Sequence, residues 1–264
     1  MSKNPLIKKY ISWFDNYVNS FIKKRPELKE NLLIKVVHSK NVLNEIVGIA
    51  KSLNLQKDEL FLAEVIGLFH DIGRFEQYVR YETFSDSKSQ NHAELGVEVL
   101  KKENVLSDLC DVEREIVFRA IKNHSKAEIP NNEPEEIEFF SQLIRDADKL
   151  DIWRLVTEYY MLKDEKENKS LELELPDSDE ISEKVIQSIV DRKIVKKEDM
   201  NTLNDFKLLQ IAWVFDLNFN YSKIRLIEKK YLDKIFDTLP DNDVVERVKS
   251  IVRAELVIEK TVNK

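Results

Sequence analysis

The chain contains four histidines, each standing alone: His38, His70, His92 and His124. Asp71 follows His70 directly, and the run Arg145-Asp146-Ala147-Asp148-Lys149-Leu150-Asp151 lies beyond the last histidine. Neutral imidazole and carboxylate are natural ligands for divalent transition metal ions such as Fe, Mn, Co, Ni and Zn. On one helix, His70 and Asp71 would point about 100° apart. They would not face each other, yet both could reach a cleft between helices. A carboxylate can hold one ion with each oxygen. Four histidines and two aspartates therefore suffice for two ions: His38, His70 and Asp148 on the first, His92 and His124 on the second, and Asp71 bridging them. Two ions roughly 3.5–4 Å apart can activate water and stabilise attacking and leaving oxygens at phosphorus. Any one of these histidines alone reads as an ordinary residue. His124 would suit a helix C-terminus, and His92 a polar helix start. The set carries the chemistry, because every member falls on a helix or at a helix edge.

Helical periodicity supplies the elements that must hold these groups. Residues 6–23 repeat apolar positions every three to four residues. Pro26 precedes a second helix from about Glu27 to Leu53, whose inward face is read as Leu32, Leu33, Val36, Val37, Leu43, Ile46, Val47 and Ala50. A third is expected from about Lys57 to Ile72, with Gly73 as a left-handed stop. Residues 78–91 are polar and aromatic without a period, and read as a loop or lid. Helices are expected again over His92–Glu103, Val112–His124 and from Glu135 past Met161. Residues 163–179 are highly charged and read as a surface excursion, with a short edge strand at the alternating Leu171–Leu175 tract. Helices near 180–195, 203–220, 222–238 and 242–260 complete the chain. The expectation is an all-α bundle forming one domain over 1–264. Its core lies at about 27–162, with accessory helices at 1–25 and 180–264.

Composition narrows the function. Four glycines and six prolines in 264 residues leave too few turns for an all-β protein. Neither GxGxxG nor GxxxxGK[ST] occurs, so the glycine-rich phosphate loops are excluded. The formal charge of −7 lacks the basic footprint of a nucleic-acid binder. Such a surface favours a small phosphorylated substrate over a polyanion. Cys110 is the single cysteine, which points to a reducing compartment. The N-terminus does not read as a signal peptide, and no apolar run is long enough to span a membrane, so a cytoplasmic protein is expected.

The local text around the ligands resembles a known family. LFHDIGRFEQY and LIRDADKLD, following His38 in order, are similar to the motifs of HD superfamily metal-dependent phosphohydrolases. The resemblance covers about residues 30–160. It implies a helical bundle, a metal-dependent phosphohydrolase and a ligand set closed by Asp148 rather than Asp146. His92 and His124 lie in the interval where two-metal members carry two extra histidines. That group includes cyclic-dinucleotide phosphodiesterases, a dinucleoside-tetraphosphate hydrolase and di-iron oxygenases. The Gly-Tyr-Pro element of the cyclic-dinucleotide enzymes is missing, and Asn123-His124 stands where they have paired histidines.

Around this set, Asp71 is read as catalytic as well as a ligand. Arg74, one turn on, is read as a phosphate-binding guanidinium, and Lys149 as a second cation. Asp151 shares a face with Asp148 and could orient a ligand histidine. Lys122 and Arg145 are read as solvated or ion-paired, Glu64 as a surface acid, and Trp213, Phe215, Phe219 and Tyr221 as core. The implied activity is hydrolysis of a phosphate mono- or diester of a nucleotide or another small metabolite. The rivals are a mixed-valence di-iron oxygenase with the same ligands and a non-catalytic nucleotide-sensing module.

Overall fold

The computed structural model describes residues 5–161, Glu172 and residues 175–256. Among them every regular element is helical. The tract Leu171–Leu175 and the charged excursion fall largely outside the described residues, as does the chain beyond 256. No helix among the described residues is long and apolar enough to cross a membrane. The chain divides into two compact units, Met1–Asp151 and Ile152–Lys264.

In the first unit, α1 (Pro5–Lys24) buries one stripe, Ile7, Tyr10, Phe14 and Val18. A 3-10 turn at Pro26–Leu28 leads into α2 (Lys29–Ser52). The centre is α3 (Lys57–Phe69), buried continuously from Phe61 to Phe69. It packs on α2, α1 and α6 (Asp111–His124), so a helix apolar all round is what its position requires. Tyr10 and Phe69 meet edge to face, as do Phe14 and Phe75. Gly67 lets α3 lie against α2, since a Cβ there would come 2.6 Å from Ile46 Cγ2. α4 (Gly73–Tyr81) packs on α5 (His92–Lys102), and α5 on α6. α7 (Glu135–Met161) belongs to this unit as far as Asp151.

Several boundaries differ from the periodic reading. α3 ends at Phe69, and His70, Asp71 and Ile72 form a tight turn into α4. Gly73 opens α4 instead of closing α3, and its φ is not positive. Its role is close approach: a Cβ there would lie 2.1 Å from the His92 carbonyl oxygen and 2.5 Å from Gly96 N. The left-handed residue is Glu82, at φ 52°, so the connection starts there and not at residue 78. Leu33 and Val37 are exposed, because the buried stripe of α2 runs through Leu32, His38, Ser39, Val42, Ile46 and Ile49. Glu64 is buried and not a surface acid.

The second unit contains α8 (Glu183–Val190), α9 (Leu203–Ala212), α10 (Asn220–Lys229), α11 (Tyr231–Phe236) and α12 (Asp243–Glu255). α8 packs on α9 and α12, with Val185, Ile189, Val248 and Val252 inside. The run expected as one helix over 222–238 breaks at Lys230, which is left-handed at φ 53°. A 3-10 turn at Trp213–Asp216 shifts the phase after α9. Val214 and Leu217 are therefore buried, while Trp213, Phe215, Phe219 and Tyr221 are only partly so.

Candidate metal centre

The four histidines, the turn aspartate and one α7 aspartate converge in the first unit. His38 comes from the middle of α2 and His70 from the turn after α3. His92 opens α5, and His124 closes α6. Asn91 caps α5 by accepting from the Glu94 backbone N–H at 2.9 Å, which fixes His92 in the first turn. Asp148 reaches the cluster from α7, and Asp146 does not join it among the described residues.

The donor atoms form two sets that share Asp71, and a third grouping, His70, His124 and Asp148, overlaps both. In the first, His38 Nε2 lies 3.2 Å from His70 Nε2, 3.0 Å from Asp148 Oδ1 and 3.6 Å from Asp71 Oδ2. His70 Nε2 lies 3.7 Å from Asp148 Oδ1 and 3.9 Å from Asp71 Oδ2. In the second, His92 Nε2 lies 3.1 Å from His124 Nε2, and the two lie 3.3 and 3.7 Å from Asp71 Oδ1. Donors about 2.0–2.1 Å from one ion in tetrahedral array stand about 3.3 Å apart. The separations of 3.0–3.3 Å in each set match that spacing, and those of 3.6–3.9 Å are wider.

The tautomers point the same way. His70 Nδ1 faces the Gly67 carbonyl at 2.9 Å, and His124 Nδ1 faces the Ile121 carbonyl at 2.5 Å. A carbonyl only accepts, so each of these Nδ1 atoms carries the proton. His38 Nδ1 lies 2.8 Å from Asp151 Oδ2, and His92 Nδ1 lies 2.8 Å from Asp86 Oδ2. With Nδ1 so engaged, each ring turns its Nε2 toward its partner's, at 3.2 Å for His38 and His70 and 3.1 Å for His92 and His124. That arrangement calls for a cation between them, so the residues fit a divalent ion.

Electrostatics prepares the donors. Burial pushes His70 down to about 4, against the pull of Asp71 and Asp148. Burial and the Arg74 charge push His92 down to about 3, against Asp86 and Asp71. His38 goes the other way. Burial and Lys35 lower it, but the hydrogen bonds to Asp148 and Asp151 outweigh them. Burial opposes ionisation of Asp71, yet Lys35, Arg74 and the imidazoles hold it well below the usual carboxylate range. Asp148 is lowered in the same way, its burial overcome by the hydrogen bond to His38 and the surrounding histidines.

The matching sequence profile is that of the HD domain, over residues 36–153. Residues 36–153 are an HD domain. HD domains are in general metal-dependent hydrolases, and the segment contains every donor atom of both sets. No curated protein and no solved structure matches the chain.

Within the HD domain the cations are arranged differently from the expectation. Arg74 Nε lies 3.4 Å from Asp71 Oδ1, but the guanidinium also donates to Phe84 O, and to Gln77 Oε1 and Asp86 Oδ1 at 3.0 Å each. It ties the turn to the connection after α4. Lys149 is buried, with Nζ 3.5 Å from the Arg145 carbonyl one turn back. Lys122 pairs with Glu94, and Arg145 donates to the carbonyls of Asn123, Lys126 and Ala127 on either side of His124. Two residues were missed in the sequence. Lys35 sits 2.8 Å from Asp71 Oδ2, three residues before His38 on the same helix face. Asp86 lies in an aperiodic connection, where spacing gives no signal.

Proposed function

We propose that this protein is a phosphohydrolase that uses two divalent transition metal ions to cleave a phosphate mono- or diester of a nucleotide or another small metabolite. One observation carries the reading: the two oxygens of Asp71 face different histidine pairs, Oδ2 toward His38 and His70, Oδ1 toward His92 and His124. A bridging carboxylate between two ligand sets is the simplest use of that placement. His38, His70 and Asp148 would hold one ion and His92 and His124 the other. Bound ions would supply Lewis acidity to the phosphoryl oxygens and make water a better nucleophile near neutral pH.

The chain's own groups add to this. Lys35 and Arg74 place two fixed positive charges beside Asp71, where phosphoryl charge would gather. The Lys35 side chain is 18% exposed, so its ammonium can turn to an incoming anion. The net charge of −7 favours a small ester over nucleic acid. The proposal includes a cytoplasmic location, where the exposed Cys110 stays reduced.

The test is elemental analysis of protein purified without chelators, together with a broad phosphoester and nucleotide panel. Two ions per chain and strong turnover of one substrate class are expected. Oxygen consumption by iron-loaded protein, with no phosphoester cleaved, would replace this reading with an oxygenase. Nucleotide binding without turnover, and a large fall in melting temperature on chelation, would replace it with a sensing module.

A further inference from the structure

The orienting partners of the four imidazoles are unequal. His38 leans on Asp151 of α7, and His70 and His124 lean on carbonyls three residues earlier in their own chain. Each of those acceptors is part of the helical scaffold. His92 alone is oriented from a connection, through Asp86 in the stretch between α4 and α5.

That connection is fastened through Asp86 and its neighbours. Asp86 Oδ1 and Oδ2 lie 2.9 and 2.8 Å from His92 Nδ1. Oδ1 also accepts from Gln77 Nε2 at 2.8 Å and Arg74 at 3.0 Å. Gln77, wholly buried on α4, donates from the same amide to Ser89 Oγ at 2.9 Å and to the Gln90 carbonyl at 2.8 Å. Arg74 holds the Phe84 carbonyl. Two α4 side chains therefore dock the connection, and one carboxylate passes its position to a ligand. Asn91 gives α5 a cap of its own, and Asp86 Oδ1 adds a longer bond from the His92 backbone N–H at 3.3 Å.

We propose that Asp86 is the positioning residue of the second ligand set, so that binding of an ion by His92, His124 and Asp71 requires the 82–91 connection to be docked on Arg74 and Gln77. This rests on the two-ion reading above. A carboxylate on Nδ1 fixes the ring, sets the tautomer and raises the basicity of Nε2. The first set, oriented entirely by helices, should not respond to its loss.

The experiment is titration of metal-free protein with Mn(II), following stoichiometry by calorimetry and the ion pair by electron paramagnetic resonance. Wild type should take two ions and show an exchange-coupled signal. Asp86→Ala should bind the first ion normally and the second about 10–100-fold more weakly, leaving a single-ion signal. Asp86→Asn, which keeps an acceptor without the charge, and Gln77→Ala, which loosens the dock without touching a ligand, should show smaller losses at the second ion only. Circular dichroism checks that each variant is folded, and Asp86→Asn carries the test if Asp86→Ala is not. Two ions at wild-type affinity in Asp86→Ala would overturn the role of Asp86 and leave the two-ion reading intact. Equal weakening of both ions would overturn it too. A single ion in wild type would overturn both.

Discussion

Asp71 in the first unit and Asp205 in the second are both nearly inaccessible to solvent, and they are satisfied in opposite ways. Asp205 accepts from the Ser182 backbone N–H and hydroxyl at 2.8 and 2.6 Å, and from the backbone N–H groups of Asn201 and Thr202 at 2.8 and 3.2 Å. Its oxygens meet ordinary donors, and it ties the start of α9 to the start of α8. Asp71 meets Lys35, Arg74 and four imidazole nitrogens, several of them lone-pair donors themselves. A buried carboxylate surrounded by N–H groups is architecture. A buried carboxylate on which four imidazole Nε2 atoms converge is a place for a cation. Burial alone does not separate the two, and partner chemistry does.

The sharpest way to break this contrast is to remove each acid. Asp71→Ala should cost more than about 100-fold in turnover, since even the outer partners of a metal ligand are worth 10–100-fold. Its helix content should stay near wild type by circular dichroism. Chelation should lower the melting temperature of wild type but not of Asp71→Ala, because linkage stabilisation requires binding. Asp205→Ala should do the reverse. It loses an α9 capping group and strands several buried N–H groups, at about 3 kcal/mol in urea unfolding, with turnover per folded molecule unchanged. A loss of activity there beyond the unfolded fraction would erase the distinction.

Gly73→Ala sits between these cases. Its Cβ must push α4 from α5 at the His92 carbonyl, so about 1–3 kcal/mol of stability should go, together with metal affinity. Calorimetry and chelator competition on the same preparation would check both. Val37→Ser should be the mildest. Val37 is exposed on α2, one residue before His38, and the change should stay within about 0.5 kcal/mol by thermal melting with metal content unaltered.

The convergence of the four histidines was legible because histidine is scarce in the chain and each lies at an element the helical period could locate. Asp151 was legible as an orienter because one helical turn separates it from Asp148. Asp86 was hidden because its connection has no period, and its partners Arg74 and Gln77 are set by folding. Lys35 was hidden among many surface lysines, although its spacing from His38 was available. Leu33 and Val37 lie on the exposed side because apolarity alone does not fix a helix face, and the buried stripe of α2 is partly polar, through His38 and Ser39. Gly73 was read as a conformational stop when the constraint was space against another helix.

The donor cluster is deeply set, with its exposed edge at Asp148 and Lys35. His70 has no exposed surface, Asp71 and His92 have 3% each, and the Asp148 side chain reaches only 17%. An ion held there would meet solvent only along that edge, so it should exchange more slowly than one held at an open surface. Exchange with buffer should then take far longer than a purification step. The elements found in a preparation will record what the growth medium offered while the chain was folding, and cultures grown on defined single-metal media should yield proteins of lastingly different content.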